Sequence, residues 1–228
     1  MTNMDARTRE PQYEMLFEVE QKHGRTRLGL MANQSYNEDP KRLLFTLARY
    51  KFVAQMLRGK ERVLEIGCAD AFGTRLVQQA VGSVTATDFD EVFIEDVRSS
   101  ANPHWPMATA VHDMLSGPIR GPFDAAFCLD VLEHIPPELE EVFLKNLVGS
   151  LGEVATAIIG MPSIESQVYA SPQSREGHVN CKTGKDLVAL LDRFFHYVLL
   201  FSMNDEVVHT GFSPMAHYLI AVCCQPKA

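Results

Sequence analysis

The sequence predicts an α/β fold: a three-layer, doubly wound and mostly parallel sheet, preceded by helices. Three observations carry that reading. The apolar run Arg62-Val-Leu-Glu-Ile66 leads into the small-residue turn Gly67-Cys-Ala-Asp-Ala-Phe-Gly73, and a helix follows from Thr74 to Val81. A second short strand, Gly82 to Asp88, ends in an acid 21 residues after Gly67. From there strand-like and helix-like stretches alternate to the end of the chain.

The bulk numbers fit this class. A chain of 228 residues, 46% hydrophobic and 22% charged, is enough for one α/β domain of ordinary size. A formal net charge of −8 argues against a surface that tracks nucleic-acid phosphates, so no nucleic-acid partner is expected. No apolar stretch approaches the roughly 18 residues of a membrane span, and no basic–apolar–small leader pattern opens the chain. The cysteines, Cys68, Cys128, Cys181, Cys223 and Cys224, show no metal-binding spacing. They read as free, buried thiols in a reducing compartment, which makes the expected location cytoplasmic.

In order, residues 1–10 are polar, and Glu10 to His23 carries Tyr13, Leu16, Phe17 and Val19 at helical spacing before Gly24. Arg25 to Glu38 reads as a loop. A stronger helix starts at Pro40 behind the N-cap Asp39 and runs to Gly59, with Leu43, Leu47, Tyr50 and Val53 on its apolar face. Residues 1–59 are therefore expected to form a helical cover on a core of residues 60–228.

Past Asp88, which can bond ribose hydroxyls or cap the next helix, that helix runs from Asp90 to Arg98. Ala108 to Met114 is a third strand with its exit, and Ala125 to Leu129 suits a strand buried on both faces. The segment Asp130-Val-Leu-Glu-His-Ile-Pro136 lies just beyond it. A helix spans Glu138 to Ser150, and a fifth strand Glu153 to Ile159. Residues 163–183 form the least regular stretch of the second half. A helix to Arg193 and two strands, Phe194–Met203 and Met215–Cys224, close the chain, with a turn from Asn204 to Gly211 between those strands.

The turn after the first strand departs from a dinucleotide fingerprint. It opens with an acid, Glu65, and has Ala69 and Ala71 where glycines are usual. An acid there would repel a pyrophosphate and suits a cationic or hydroxylated ligand. Val63-Leu-Glu-Ile-Gly-Cys-Ala-Asp-Ala-Phe-Gly73 resembles motif I of the class I S-adenosylmethionine-dependent methyltransferases, small-molecule type. Asp130-x-x-Glu-His134 resembles their fourth motif. The resemblance spans residues 60–224.

It implies a seven-stranded sheet with a C-terminal antiparallel hairpin and S-adenosyl-L-methionine as cofactor. It places Glu65, Gly67, Cys68, Ala69 and Gly73 beside the methionine moiety, Asp88 on the ribose and Phe89 on the adenine. It further places Asp113 on the adenine amino group with His112 and Met114 beside it, the alternative being a solvated loop acid; Asp130 borders the methionine end or the transferring methyl, and Val131 belongs to the same cofactor site. In the N-terminal segment, Tyr36, Arg49 and Tyr50 become lid candidates; the alternatives are that Tyr50 is core and that Arg49 is solvated. Gly177-His-Val-Asn180 resembles a loop next to the acceptor. His134 and His178 are thus the candidate catalytic bases; the alternatives are that His134 orients its loop and that His178 and Asn180 cap the following helix. Asn204 and His209 are lesser pocket candidates. Asp130 and Glu133 are too few acids for a metal cluster, so none is expected.

The resemblance implies a methyltransferase acting on an oxygen or nitrogen of a small molecule or sugar-bearing metabolite, with a homodimer left open. Two alternatives stand beside it. One is a non-catalytic module that binds the cofactor or its product. The other is an NAD-dependent oxidoreductase, which should show the three-glycine turn that this sequence lacks.

Overall fold

In the computed structural model, residues 7–121 and 123–227 are described; the expectation for the first six residues lies outside them. The chain runs α1 (Met15–His23), α2 (Leu30–Glu38), α3 (Lys41–Met56), β1 (Arg62–Ile66), α4 (Thr74–Gln78), β2 (Ser83–Asp88), α5 (Glu91–Ser99) and β3 (Ala108–Val111). It continues through β4 (Phe123–Leu129), α6 (Glu140–Gly149), β5 (Leu151–Pro162), α7 (Pro172–Gly177), α8 (Gly184–Leu191), β6 (Phe195–Asn204), β7 (Val207–His209) and β8 (Tyr218–Pro226). Among the described residues no helix is long and apolar enough to cross a membrane.

The strands make one sheet in the order β3-β2-β1-β4-β5-β8-β6-β7. β1 to β5 pair in parallel, and β8 lies antiparallel between β5 and β6. Alternation along the buried strands builds the two faces. Val63, Ala125 and Phe127 pack against Tyr50, Val53 and Leu57 of α3 and Val77 of α4. Leu64, Ile66, Ala126 and Cys128 pack against α6 and α8 through Phe143, Leu147, Leu187 and Leu191. The result is three layers, with the carboxyl ends of β1, β2 and β4 on one edge.

Two expectations are corrected. Among the described residues the sheet has eight strands, not seven. The additional strand, β7, is a three-residue edge piece that folds back on Ser202–Asn204 through Asp205, whose φ is 50°. Three residues carry no readable alternation, so the sequence shows only a turn there. The stretch from Arg25 to Glu38, read as a loop, contains α2. Its sequence, LMANQSYNE, has no apolar stripe. Its first-turn N–H groups find acceptors far away in the chain: Leu30 donates to Asp96 Oδ2 at 2.8 Å, and Ala32 to Asp70 Oδ2 at 2.6 Å. The five thiols are free, but only Cys68, Cys128 and Cys223 are buried; Cys181 and Cys224 are half-buried.

Candidate active site

β1 ends at Ile66, and the chain then turns through alternate left-handed residues: Gly67 (φ 72°), Ala69 (φ 45°) and Ala71 (φ 51°). The alanines keep the backbone path that glycines would adopt, at about 1–2 kcal/mol each. Hydrogen bonds hold that path. The Gly67 and Cys68 N–H groups both donate to Thr87 O, at 2.8 and 2.9 Å. Ala69 N–H donates to Asp88 Oδ2 at 2.9 Å, and Ala71 N–H to Cys68 O at 2.8 Å. Gly67 has a second reason to be glycine, since a Cβ there would collide with Val131 just beyond β4. This contact marks the switch point of the sheet, where β1 and β4 part and where open α/β sheets bind ligands.

Glu65 alternates onto the α3 face and is buried. Tyr50 donates its hydroxyl to Glu65 Oε1 at 2.8 Å, and Thr74 donates to Oε2 at 2.6 Å. Burial pushes the Glu65 carboxyl up to about 7, against the pull of these two hydrogen bonds. Gly73 belongs to the same arrangement, because the Tyr50 ring fills the place of its missing side chain. Both oxygens of Glu65 and the open face of Gly73 are therefore engaged from within the protein.

Asp88, at the end of β2, is buried except for 6% of its surface. Its Oδ2 accepts Ala69 N–H and its Oδ1 accepts Asp90 N–H at 3.0 Å. Each carboxylate oxygen retains a lone pair. Phe89 beside it is 74% exposed. Asp113 is exposed, its Oδ1 accepting Leu115 N–H at 2.8 Å, while Met114 is buried in the core under α6. His112 Nε2 bonds to Gly117 O at 3.0 Å.

Beyond β4 the backbone bends at Asp130 (φ 57°), a left-handed conformation that aspartate tolerates. Arg49 reaches from α3 to Asp130 Oδ2 at 2.7 Å while lying 3.8 Å over the Tyr218 ring. Asp130 N–H meets Gly160 O at 3.0 Å and the Tyr218 hydroxyl at 3.2 Å. A short 3-10 turn, Leu132–His134, follows. It sets His134 against His178, their ring centroids 5.2 Å apart.

Each ring is held by one nitrogen: His134 Nδ1 to Gly177 O at 2.8 Å, and His178 Nδ1 to Gln167 Oε1 at 2.9 Å. Both partners are acceptors, so each Nδ1 carries the proton and each Nε2 keeps its lone pair. Burial, and then the neighbouring His134 imidazole, hold His178 below the usual imidazole range. The sequence candidates Asp130, Val131, His134 and His178 thus converge, and Arg49 and Gln167 join them from outside the motifs. Tyr36 is exposed, and His209, at the end of β7, spends its ring nitrogens on Asn204 of β6 and on Gly211 just beyond β7.

A cavity of about 160 Å³ opens on the outer side of the Asp70–Phe72 turn, among Arg75, Trp105 and Met107. It includes neither Asp88 nor Asp130, and it falls short of the roughly 300 Å³ of small-ligand sites. The candidate site is instead the strand-end edge from Asp88 across Gly67 to Asp130 and the two histidines.

Residues 63–152 match the family model described as a methyltransferase domain. No curated protein matches the sequence significantly. Among solved structures, the N-methyltransferase NodS from Bradyrhizobium japonicum WM9, in complex with S-adenosyl-L-homocysteine, is 18% identical, with a TM-score of 0.60 over 84% of this chain and 91% of that one. A DhpI complex with the same product (SAH) is 15% identical, with a TM-score of 0.61 over 86% and 91%. The small RNA methyltransferase HEN1 is 13% identical, with a TM-score of 0.64 over 81% of this chain and 26% of that one. At these identities the structural likeness is one of fold.

Proposed function

We propose that this chain, which carries a class I S-adenosylmethionine-dependent methyltransferase domain, moves the methyl group to an oxygen or nitrogen of a small molecule or sugar-bearing metabolite. One observation carries the reading. A carboxylate with lone pairs to spare, Asp88, and a polar cluster, Asp130 with His134 and His178, stand at opposite ends of one strand edge, with the Gly67–Val131 switch point between them.

The residues present fit the cofactor. Asp88 is prepaid in geometry by Ala69 and Asp90 and offers its remaining lone pairs to ribose hydroxyls, with the exposed Phe89 ring next to it for the base. Gly67, Cys68, Ala69 and Val131 line the middle of the edge, where the methionine portion belongs, and Asp113 stands exposed at the β3 exit toward the adenine, whereas the Met114 side chain is turned into the core. Glu65 and Gly73 serve from behind, by fixing the start of α4 against Tyr50.

S-adenosylmethionine supplies, when bound, a methyl group on a good leaving group. The chain's own task is alignment and exclusion of water. An acceptor hydroxyl or protonated amine must lose a proton, and the lone pairs on His178 Nε2 and His134 Nε2 are the bases at hand. α3 supplies Arg49 to the Asp130 end of the site and Tyr50 behind the turn, which supports residues 1–59 as its cover. A net charge of −8 favours a small acceptor over a polyphosphate chain.

The test uses S-adenosylmethionine with a labelled methyl group and separate pools of hydroxy-metabolites, amino-metabolites and RNA. Label in the small-molecule fraction is expected. Label in RNA alone would overturn the acceptor class. Calorimetric binding of S-adenosylhomocysteine with no turnover in any pool would make the chain a binding module.

A further inference from the structure

We infer that Glu133, His134 and His178 form a binding site for a divalent transition-metal ion. Placing that ion at the acceptor end rests on the reading above; the binding itself does not.

The geometry comes first. One ligand atom from each of the three residues lies within 4.8 Å of the others. Metal–ligand distances of about 2.0–2.2 Å put neighbouring ligand atoms about 3–3.5 Å apart, so small side-chain rotations close the site. The residues come from two segments that the backbone already ties together. Asn180 N–H donates to Glu133 O at 2.9 Å, and His134 Nδ1–H donates to Gly177 O at 2.8 Å.

The second observation is Glu133 itself. Its side chain is fully buried, and among the described residues neither carboxyl oxygen has a hydrogen-bond partner. Buried polar atoms are nearly always satisfied, and an orphaned pair calls for a water or an ion. The nearby cation does not serve, because Arg49 directs its Nη1 at Asp130.

The third observation is how the imidazoles are held. Each donates Nδ1–H to a carbonyl-type oxygen, Gly177 O or Gln167 Oε1. That is the outer-sphere support which fixes the tautomer of a metal-ligating histidine and leaves Nε2 free to bind. Two imidazoles and one carboxylate select a first-row transition ion such as Mn²⁺, Fe²⁺, Co²⁺ or Zn²⁺; Mg²⁺ and Ca²⁺ want oxygen ligands. Three protein ligands leave positions open for an acceptor oxygen. His134 and His178 would then act on the acceptor through the ion.

The full chain, stripped with chelator and freed of it, is titrated with Co²⁺ and followed by visible absorption. Co²⁺ should bind with Kd below about 100 μM and give the d–d bands of a nitrogen-ligated site. His134→Ala and His178→Ala should each weaken binding about 10–100-fold or more, the range already seen for loss of an outer-sphere partner. Glu133→Gln keeps the size and shape of the side chain, so it should fold as the parent does and lose the Co²⁺ bands. No bands at about 1 mM Co²⁺, equal affinity in parent and variants, or binding of Mg²⁺ alone would each overturn the site. Calorimetry with S-adenosylhomocysteine runs alongside. Product binding without Co²⁺ bands sinks the metal site only, and Co²⁺ bands without product binding sink the cofactor reading only.

Discussion

The Tyr50 hydroxyl lies 2.8 Å from Glu65 Oε1 and so joins the middle of α3 to the acid that opens the β1 turn. Two further contacts depend on the same ring. It sits edge-on to Phe127, centroids 5.9 Å apart, and it occupies the place of a side chain at Gly73. Tyr50→Phe keeps the ring and removes the hydroxyl, leaving Glu65 with one partner in a buried place. The expected loss is about 1–3 kcal/mol of unfolding free energy, read by urea denaturation. A change below about 0.5 kcal/mol would mean that water replaces the hydroxyl. Gly73→Ala should cost more, because the ring itself must move.

Glu65 also gives the protein a pH dependence of definite sign. Its carboxyl titrates near 4.5 in a flexible chain and is pushed up to about 7 in the fold, chiefly by burial. A raised carboxyl favours the protonated form in the native state. Its contribution is complete below pH 4.5 and is lost as pH rises through about 7. The whole effect is at most about 3 kcal/mol at 1.36 kcal/mol per pH unit. Glu65→Gln removes the titration. Melting temperatures of parent and variant measured from pH 5 to 8 should therefore diverge, the parent falling relative to the variant. Parallel curves would place the Glu65 titration outside that window.

The two alanines of the turn make an inverted expectation. Ala→Gly normally destabilises, because glycine loses more freedom on folding. Ala69 and Ala71 sit at φ 45° and 51°, where the Cβ is strained by about 1–2 kcal/mol. Ala71→Gly should be neutral or stabilising by up to about 1 kcal/mol in thermal unfolding. A loss of more than about 1 kcal/mol would show that the buried Ala71 methyl matters more than its backbone strain.

Asp88 cannot be replaced quietly. Both its oxygens accept backbone N–H groups, from Ala69 and Asp90. Asparagine would turn an NH₂ toward one of them. Asp88→Asn should lose stability as well as about 10–100-fold in S-adenosylhomocysteine affinity, at about 1.5–3 kcal/mol for charge-assisted bonds. Calorimetry well below the melting temperature separates the two losses. Unchanged affinity would take Asp88 out of the cofactor site.

What the sequence made legible was local. The run Arg62–Ile66, the turn after it and the acid closing β2 follow from residue types at fixed short spacings, and the structure places them at one strand edge. Asp130 and His134 were legible for the same reason. α2 was not, because its N–H groups are answered by Asp70 and Asp96 and not by its own residues. Nor was the approach of His178 to His134, which depends on hydrogen bonds between segments 43 residues apart. The turn was legible as a motif, yet not that its first acid and last glycine would be taken up by a tyrosine from the preceding helix. Spacing encodes an element; a contact between elements needs the fold.

Arg49 and Asp130 stand 81 positions apart and meet at 2.7 Å, with the guanidinium face 3.8 Å from the Tyr218 ring. The arginine side chain is largely buried and its Nε has no partner among the described residues, so the pair holds α3 to the β4 exit at some cost in solvation. Arg49→Leu should lower unfolding free energy by about 1–3 kcal/mol, discounted from the fully buried case because the Asp130 side chain is 40% exposed. Arg49→Lys should recover less than half of that, since an ammonium cannot lie flat on Tyr218 while reaching Asp130. A double-mutant cycle with Asp130→Asn isolates the pair. A coupling of about 1 kcal/mol or more is expected in urea denaturation, and additive losses would show that the two side chains act independently. In turnover, Arg49→Leu should reduce kcat more than S-adenosylhomocysteine affinity, because it frees the acceptor end of the site and leaves the Asp88 end untouched.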